Sequence, residues 1–513
     1  MPVHSTPHRP ASGDVTTRLD LPLRRWGLLS GLAAVLAVAA FQLWVSPENP
    51  PGFFRDEAAI AYNAHTIATE GRDEYGARFP LYFSSFLDYK SPLFVYGLAG
   101  VFTVTGADRE VARGFAAVCM LAAILLLGVL AYRRTGRSSV GVIVVVLAGT
   151  TPWLFEVGRV AFEVALEPLF LVLALLGVER VSRRDRWSPY TALPVSLALG
   201  AITYVYAGGR LLAPLLAGAL CVCLGQGRWK WVLTAWLGFA VTQIPLVLYT
   251  RAHPGALSRR YEATTFVTDG MPPWEIAWRG AVNYLQDLQV WHYVVSGDVK
   301  PYAHTPGAGA LLAVSLALSL AGIVLVVIRY RSDPFWRYAL AALAVSVVPA
   351  ASTIDRFHAI RLAPFAVLLV VLAIPAVDAL RDAAAGTRRG QSLAVVLAAL
   401  AAAQFALFVD NYVEEGPRRT GRFEAAVPGL LDQAWANGGT VYIDYDDREP
   451  QGIARWYALE RGIDQSRVVR LPDGGIPPVG TIAFGREQEC DYACDRIAES
   501  GDYWIARARG PRS

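Results

Sequence analysis

Residues 91–106, SPLFVYGLAGVFTVTG, are apolar but short of a membrane span, and glycines at 97, 100 and 106 interrupt them. Crossing a hydrocarbon core of about 30 Å takes about 20 apolar residues, because a helix rises 1.5 Å per residue. Whether this segment crosses decides on which side every later loop lies. Eleven other runs of roughly spanning length stand at 26–46, 110–132, 138–155, 162–179, 189–206, 210–227, 231–250, 308–328, 335–353, 359–380 and 391–409. If 91–106 stays at the surface, five basic clusters fall on the side of the N-terminus: Arg133/Arg134/Arg137, Arg180/Arg183/Arg184/Arg186, Arg228/Lys230, Arg329/Arg331/Arg337 and Arg381/Arg388/Arg389. Basic loops mark the cytoplasmic side, and a crossing would turn all five outward. The segment is therefore read as a re-entrant or juxtamembrane helix, and the chain as N-in, C-out.

Composition supports the bilayer as solvent: of 513 residues, 54% are hydrophobic and only 18% charged. The formal net charge of +4 comes from short clusters between apolar runs, which speaks for topology and against nucleic acid. Residues 1–25 are expected as a cytoplasmic tail, and Trp26 to Val45, preceded by Arg18, Arg24 and Arg25, as an uncleaved signal anchor. A membrane domain then covers 26–409, with large outer loops at 47–109 and 251–307.

From Asp410 the character changes. TVYIDYD, GIARWYALERG, VVRL, TIAFG and YWIARA read as short strands and a helix between Asp, Gly and Pro punctuation, so 410–513 is expected to be a small α/β domain outside the cytoplasm. Within it Cys490 and Cys494, at i, i+4, are either a disulfide in an oxidising compartment or two reduced bystanders on consecutive helical turns. Cys119, Cys221 and Cys223 fall in apolar runs as packing residues, and no metal-ligand spacing occurs, so neither a metal nor another cofactor is expected.

With that topology, ionisable residues gather at the outer ends of the spans, where charge is expensive and function is the default reading. The first outer loop carries Arg55, Asp56, Glu57, Asp88 and Lys90. The next turn carries Arg159 and Glu163, the third Tyr204, Tyr206 and Arg210, and a later one Asp355, Arg356, His358 and Arg361. Arginine recurs there against the topological bias, which points to an anion held on that face. A lipid phosphate or pyrophosphate fits, since guanidinium forks bind phosphate oxygens bidentately. Plainer readings stand beside this one: Arg159 and Glu163 paired at i, i+4, Arg210 snorkelling to the interface, and Asp56 with Glu57 capping the amphipathic segment 58–70.

The stretch from Pro50 to about Pro214 resembles the GT-C superfamily, specifically the bacterial family 39 relatives of protein O-mannosyltransferases and the lipid A aminoarabinose transferase. The residues that carry the resemblance are Asp56-Glu57, TEGRDEYGARFPLYFSSFLDYKSPL at 69–93, TPWLFEVGRVAFE at 151–163 and YVYAGGRLLAP at 204–214. Weaker matches follow at 284–309 and in HAIRLAPF at 358–365. The resemblance implies a polytopic α-helical membrane glycosyltransferase of about eleven spans. It would move a sugar, by inversion, from a polyprenyl-phosphate carrier to an acceptor hydroxyl on a protein, lipid or glycan at the outer face of the plasma membrane. Asp56, with Glu57 beside it, would be the base; Glu163 is the nearest match to a second acidic residue, where several relatives have Asp. Lys90 would bind the carrier phosphate, joined by Arg159, Arg210, His358 and Arg361, with Tyr204 and Tyr206 lining the substrate pocket. The chemistry needs no more: a departing polyprenyl phosphate asks for cations and the acceptor for one carboxylate.

Two other classes fit a polytopic chain with buried charges. A secondary transporter or lipid flippase predicts inverted repeats and broken helices at mid-membrane, and a non-catalytic assembly subunit on the same fold predicts no transfer activity.

Overall fold

The computed structural model describes residues 16–44, 46, 48–85, 88–183, 188–224, 228–443, 451–472, 475–486, 490 and 492–511. Arg184 and Arg186, most of the expected N-terminal tail and the end of TVYIDYD lie outside the described residues. The chain runs α1 (Thr16–Gln42), α2 (Arg55–Glu70), β1 (Phe83–Ser85), β2 (Asp88–Lys90), α3 (Pro92–Thr105), α4 (Arg109–Thr135), α5 (Ser138–Gly149), α6 (Pro152–Val157), α7 (Glu167–Ser182), α8 (Pro189–Val205) and α9 (Gly209–Ala219). It continues through α10 (Trp229–Thr242), α11 (Ile244–Ala252), α12 (Arg259–Thr264), α13 (Pro273–Asp287), α14 (Ala313–Arg329), α15 (Pro334–Ser346), α16 (Val348–Ala351), α17 (Ala363–Gly386) and α18 (Arg388–Glu415). A C-terminal unit adds α19 (Val427–Gly438), β3 (Val441–Ile443), α20 (Gln451–Glu460), β4 (Val468–Arg470), β5 (Ile482–Arg486), β6 (Ala493–Ser500) and β7 (Tyr503–Gly510).

Each of the eleven apolar runs carries helix, but several are broken where the sequence offers a reason. The run 138–155 is split between α5 and α6 at Thr150–Thr151, ahead of Pro152, and 335–353 between α15 and α16, ahead of Pro349. By length and composition, five helical stretches are sufficient to cross a membrane alone: Arg109–Thr135, Trp229–Ala252, Pro334–Ala351, Ala363–Gly386 and Arg388–Glu415. Helix α17 is the hub, its apolar stretch buried on nearly every side, whereas α18 is almost wholly exposed and turns its Leu and Val side chains outward. Close packing onto the hub relies on Gly322 of α14, where a Cβ would stand 1.8 Å from the Leu372 carbonyl oxygen of α17. Small residues at such crossings let helices approach when lipid supplies no hydrophobic drive.

Residues 91–106 hold helix α3, at the end of the bundle opposite the arginine clusters. Helix α3 packs on α2, and Phe102 stacks over Trp456 of the C-terminal unit at 6.5 Å between centroids, so the segment stays at one end of the bundle. The arginine clusters converge at the other end: Arg134 pairs with Asp333, Arg137 with Asp378 at 2.6 Å and Asp382 at 2.7 Å, Arg183 with Glu179, and Arg228 donates to the Ser182 carbonyl at 2.9 Å.

The C-terminal unit is a five-stranded mixed sheet in the order β4-β3-β5-β7-β6, with β3 parallel to β4 and β5 and the rest antiparallel. Its core is continuous with α2 and α3, through Phe53 against Trp456 at 5.1 Å. Two differences from the sequence reading stand out. Helix α18 runs to Glu415, past the expected boundary at 409, and Cys494 lies on strand β6 instead of a helical turn. Cys490 and Cys494, with Cα atoms 6.5 Å apart, form a disulfide.

Candidate functional site

Helix α2 begins at Arg55, so Asp56 and Glu57 are successive helical residues whose side chains leave the axis about 100° apart. Asp56 faces a cavity and accepts from Lys90 Nζ at 2.8 Å. Burial works against its ionisation, but the Lys90 ammonium, aided by Arg55 and Arg260, holds its carboxyl below the usual Asp value. Glu57 turns into the protein, fully buried. It accepts from Arg113 Nε at 2.9 Å and Nη2 at 2.8 Å, from Ala161 N–H at 2.9 Å and from Phe54 N–H at 3.1 Å. With both oxygens occupied and no face on the cavity, Glu57 is a structural anchor, which corrects the expectation of a catalytic role.

The cavity, of about 1080 Å³, lies at the end of the bundle that carries the C-terminal unit. Seven of its lining side chains are cationic, namely Arg55, Lys90, Arg210, Arg259, Arg260, Arg361 and Arg486, and three are acidic, Asp56, Glu163 and Glu262. The short hairpin β1–β2 delivers Lys90, with Phe83 opposite it in register. The next residue, Ser91, donates its N–H to Glu163, which fixes that carboxylate at the cavity wall. Arg210 spends Nη1 on the Leu257 carbonyl at 3.0 Å and lies over the Tyr82 ring at 4.9 Å. Its Nε and Nη2 are buried without a partner among the described residues, which is costly unless an anion completes them. Arg361 is held by Thr353 Oγ1 at 2.8 Å and Asp355 at 2.9 Å.

The remaining expected residues divide. Tyr206 lines the cavity; Tyr204 does not, because its hydroxyl donates to the Thr242 carbonyl at 2.7 Å and accepts from Leu246 N–H at 3.1 Å. His358 lines it, but burial and then the charges of Arg361 and Lys300 push its imidazole down to about 3. It is therefore held neutral, so that the phosphate-binding role expected of it would fall to an N–H donor and not to a charge. Arg159 neither reaches the cavity nor pairs with Glu163: it donates to the Phe41 and Gln42 carbonyls, both at 2.7 Å, and covers the Phe155 ring at 4.1 Å. Sequence reasoning missed Arg259, Arg260, Tyr302 and Arg486 as lining residues. The pair SRRYE at 258–262, basic in an expected outer loop, was a readable signal; Arg486 reaches the site only through the sheet. Among the described residues no three His, Cys, Asp or Glu side chains converge as metal ligands would.

Neither a protein-family model nor a curated protein matches this sequence. Solved structures do. ArnT from Cupriavidus metallidurans bound to undecaprenyl phosphate superposes with a TM-score of 0.62 at 12% identity, covering 95% of this chain and 99% of that one. The apo form of the same protein gives 0.58 at 14% identity, covering 96% and 100%. The archaeal oligosaccharyltransferase AglB from Archaeoglobus fulgidus, in complex with an inhibitory peptide and a dolichol-phosphate, gives 0.50 at 11% identity over 83% of this chain and 63% of its own. The fold is thus the GT-C fold of multi-pass membrane proteins, with a small C-terminal sheet region.

Proposed function

We propose that this GT-C-fold protein is an inverting glycosyltransferase that moves a sugar from a polyprenyl-phosphate carrier to an acceptor hydroxyl at the extracytoplasmic face of the plasma membrane. The observation that carries the reading is the Asp56–Lys90 pair, 2.8 Å apart, in the wall of a cavity whose cations outnumber its acids. The cavity is also at or above the upper end of the usual size range for ligand pockets, roughly 300–1,000 Å³, which suits a lipid headgroup and an acceptor together. That the fold's neighbours hold undecaprenyl phosphate and dolichol-phosphate supports the same class of donor.

Asp56 takes the proton of the acceptor hydroxyl as its oxygen attacks the anomeric carbon. The bond from that carbon to the phosphate oxygen breaks with inversion, and the polyprenyl phosphate leaves with the electron pair. Lys90, Arg210 and Arg361 stand where that charge would be compensated. Donor binding also readies the base. A phosphate that draws Lys90 away from Asp56 removes the charge that depresses its proton affinity, and burial then raises it. The carboxylate becomes a competent base only once the donor is in place.

The test is to incubate membranes containing the protein with radiolabelled polyprenyl-phosphate sugars, one sugar at a time. One of them should be consumed by the wild type and spared by Asp56→Asn. Failure of any labelled donor to turn over, with the purified protein binding none, would overturn the reading.

A further inference from the structure

The segment that joins the last long helix to the C-terminal unit passes the entrance of α2 at unusually close range. A Cβ on Gly52 would lie 2.3 Å from the Phe423 carbonyl oxygen and 2.7 Å from the Ala425 Cα. At that crossing Glu424 adopts a φ of 54°, a left-handed conformation that a non-glycine residue accepts only at a cost. The result is to place a carboxyl, only 8% exposed, behind the cavity wall. Its Oε1 accepts from the Tyr503 hydroxyl of β7 at 2.8 Å and lies 3.6 Å from Arg55 Nη1, while its Oε2 is buried without a partner among the described residues. From β5, Arg486, ion-paired with Asp502 at 3.1 Å, acts on the same carboxyl through space only and lies over the Tyr503 ring at 5.6 Å. Arg55 and Arg486 both line the cavity, one contributed by the membrane domain and one by the sheet.

Two guanidiniums converging on one wall repel each other, and Glu424 is the acid that both feel. We propose that Glu424 is a positioning residue that holds Arg55 and Arg486 together on the cavity wall, so that the C-terminal unit is a working part of the anion site. This rests on the reading of the cavity as a carrier-phosphate site. Strain at Glu424 is the signature of a residue fixed by its surroundings for more than chain connection. Pre-ordered arginines lose less side-chain freedom when they grip an anion.

The titration behaviour gives a signature that a merely structural role lacks. The groups facing Glu424 are Arg55 and Asp56 of α2, Tyr503 of β7 and Arg486 of β5; burial outweighs the two arginines and the Tyr503 hydroxyl and pushes its carboxyl up to about 7. Below that pH it is protonated and resembles glutamine; above it the carboxylate holds the arginines.

The experiment uses the full chain in detergent with undecaprenyl phosphate as the probe. At pH 8, Glu424→Gln should weaken binding by about five- to tenfold, in the range of couplings between groups in contact. The two proteins should converge below about pH 6, and in an Arg55→Gln background Glu424→Gln should add nothing. If Glu424→Gln fails to fold, Tyr503→Phe, which keeps the ring beneath Arg486 and removes only the hydroxyl, is measured in the same cycle and should show the same weakening. Binding by the wild type with an unchanged or tighter variant, or with effects that add, would overturn this inference alone. Absence of binding by the wild type would overturn it together with the reading of the cavity.

Discussion

Asp56 and Glu57 are adjacent carboxylates with opposite fates, because a step of about 100° around α2 sends one to the cavity and the other to Arg113. Asp56→Asn keeps size and hydrogen bonding but cannot take a proton, so turnover should fall by about 10²–10⁴ while donor binding survives; near-normal transfer would remove the base. Glu57→Gln should behave differently. It leaves the Arg113 charge buried without compensation, a loss on the order of 3–5 kcal/mol that thermal unfolding in detergent would register, while folded molecules keep their activity. Lys90→Met tests the electrostatics. In the wild type Asp56 titrates below its ordinary value, so kcat/KM should show no Asp56 limb above about pH 5. Without the ammonium, burial dominates, Asp56 titrates higher, and an acidic limb should move up into the measurable range; an unshifted profile would separate Lys90 from Asp56. The sequence could mark this acidic pair and Lys90, since charge beside a span is itself a signal. It could not say which carboxylate faces the cavity, because that depends on where α2 begins.

Elements were legible in proportion to their length. The eleven apolar runs each carry helix because about 20 residues of one character average out local detail. Helices α12 and α13, between 251 and 307, were not resolved from loop because neither is an apolar run, and β6 was missed because its sequence, ACDRIAES, alternates weakly and lies at the sheet edge. Packing between elements was least visible, and Gly322 is the clearest case. Gly322→Ala should force α14 off the Leu372 carbonyl and lower stability by about 1–3 kcal/mol, the usual cost of overpacking. Gly100→Ala in α3, where none of the described residues lies within 4 Å of the new methyl, should be neutral or stabilising by up to about 1 kcal/mol. Thermal unfolding of the two variants side by side checks the contrast, and equal effects would refute the close crossing.

The molecule as a whole has two chemically different ends. At one, basic clusters meet Asp333, Asp378, Asp382 and Glu179; at the other lie the cavity, the C-terminal sheet and a disulfide. The contacts establish that separation without reference to a membrane, so orientation reduces to one question: which end faces the cytoplasm. Basic loops are retained on the cytoplasmic side, and a disulfide persists in an oxidising compartment; these two biases support the N-in, C-out orientation that we propose. A phosphatase reporter fused after Ser513 should therefore be active, since such enzymes mature only outside the cytoplasm, and one inserted near Arg184 should be silent. Reversed signals would turn the cavity toward the cytoplasm. They would also remove the extracytoplasmic transfer, because a polyprenyl-phosphate donor would then have to present its sugar to the opposite leaflet.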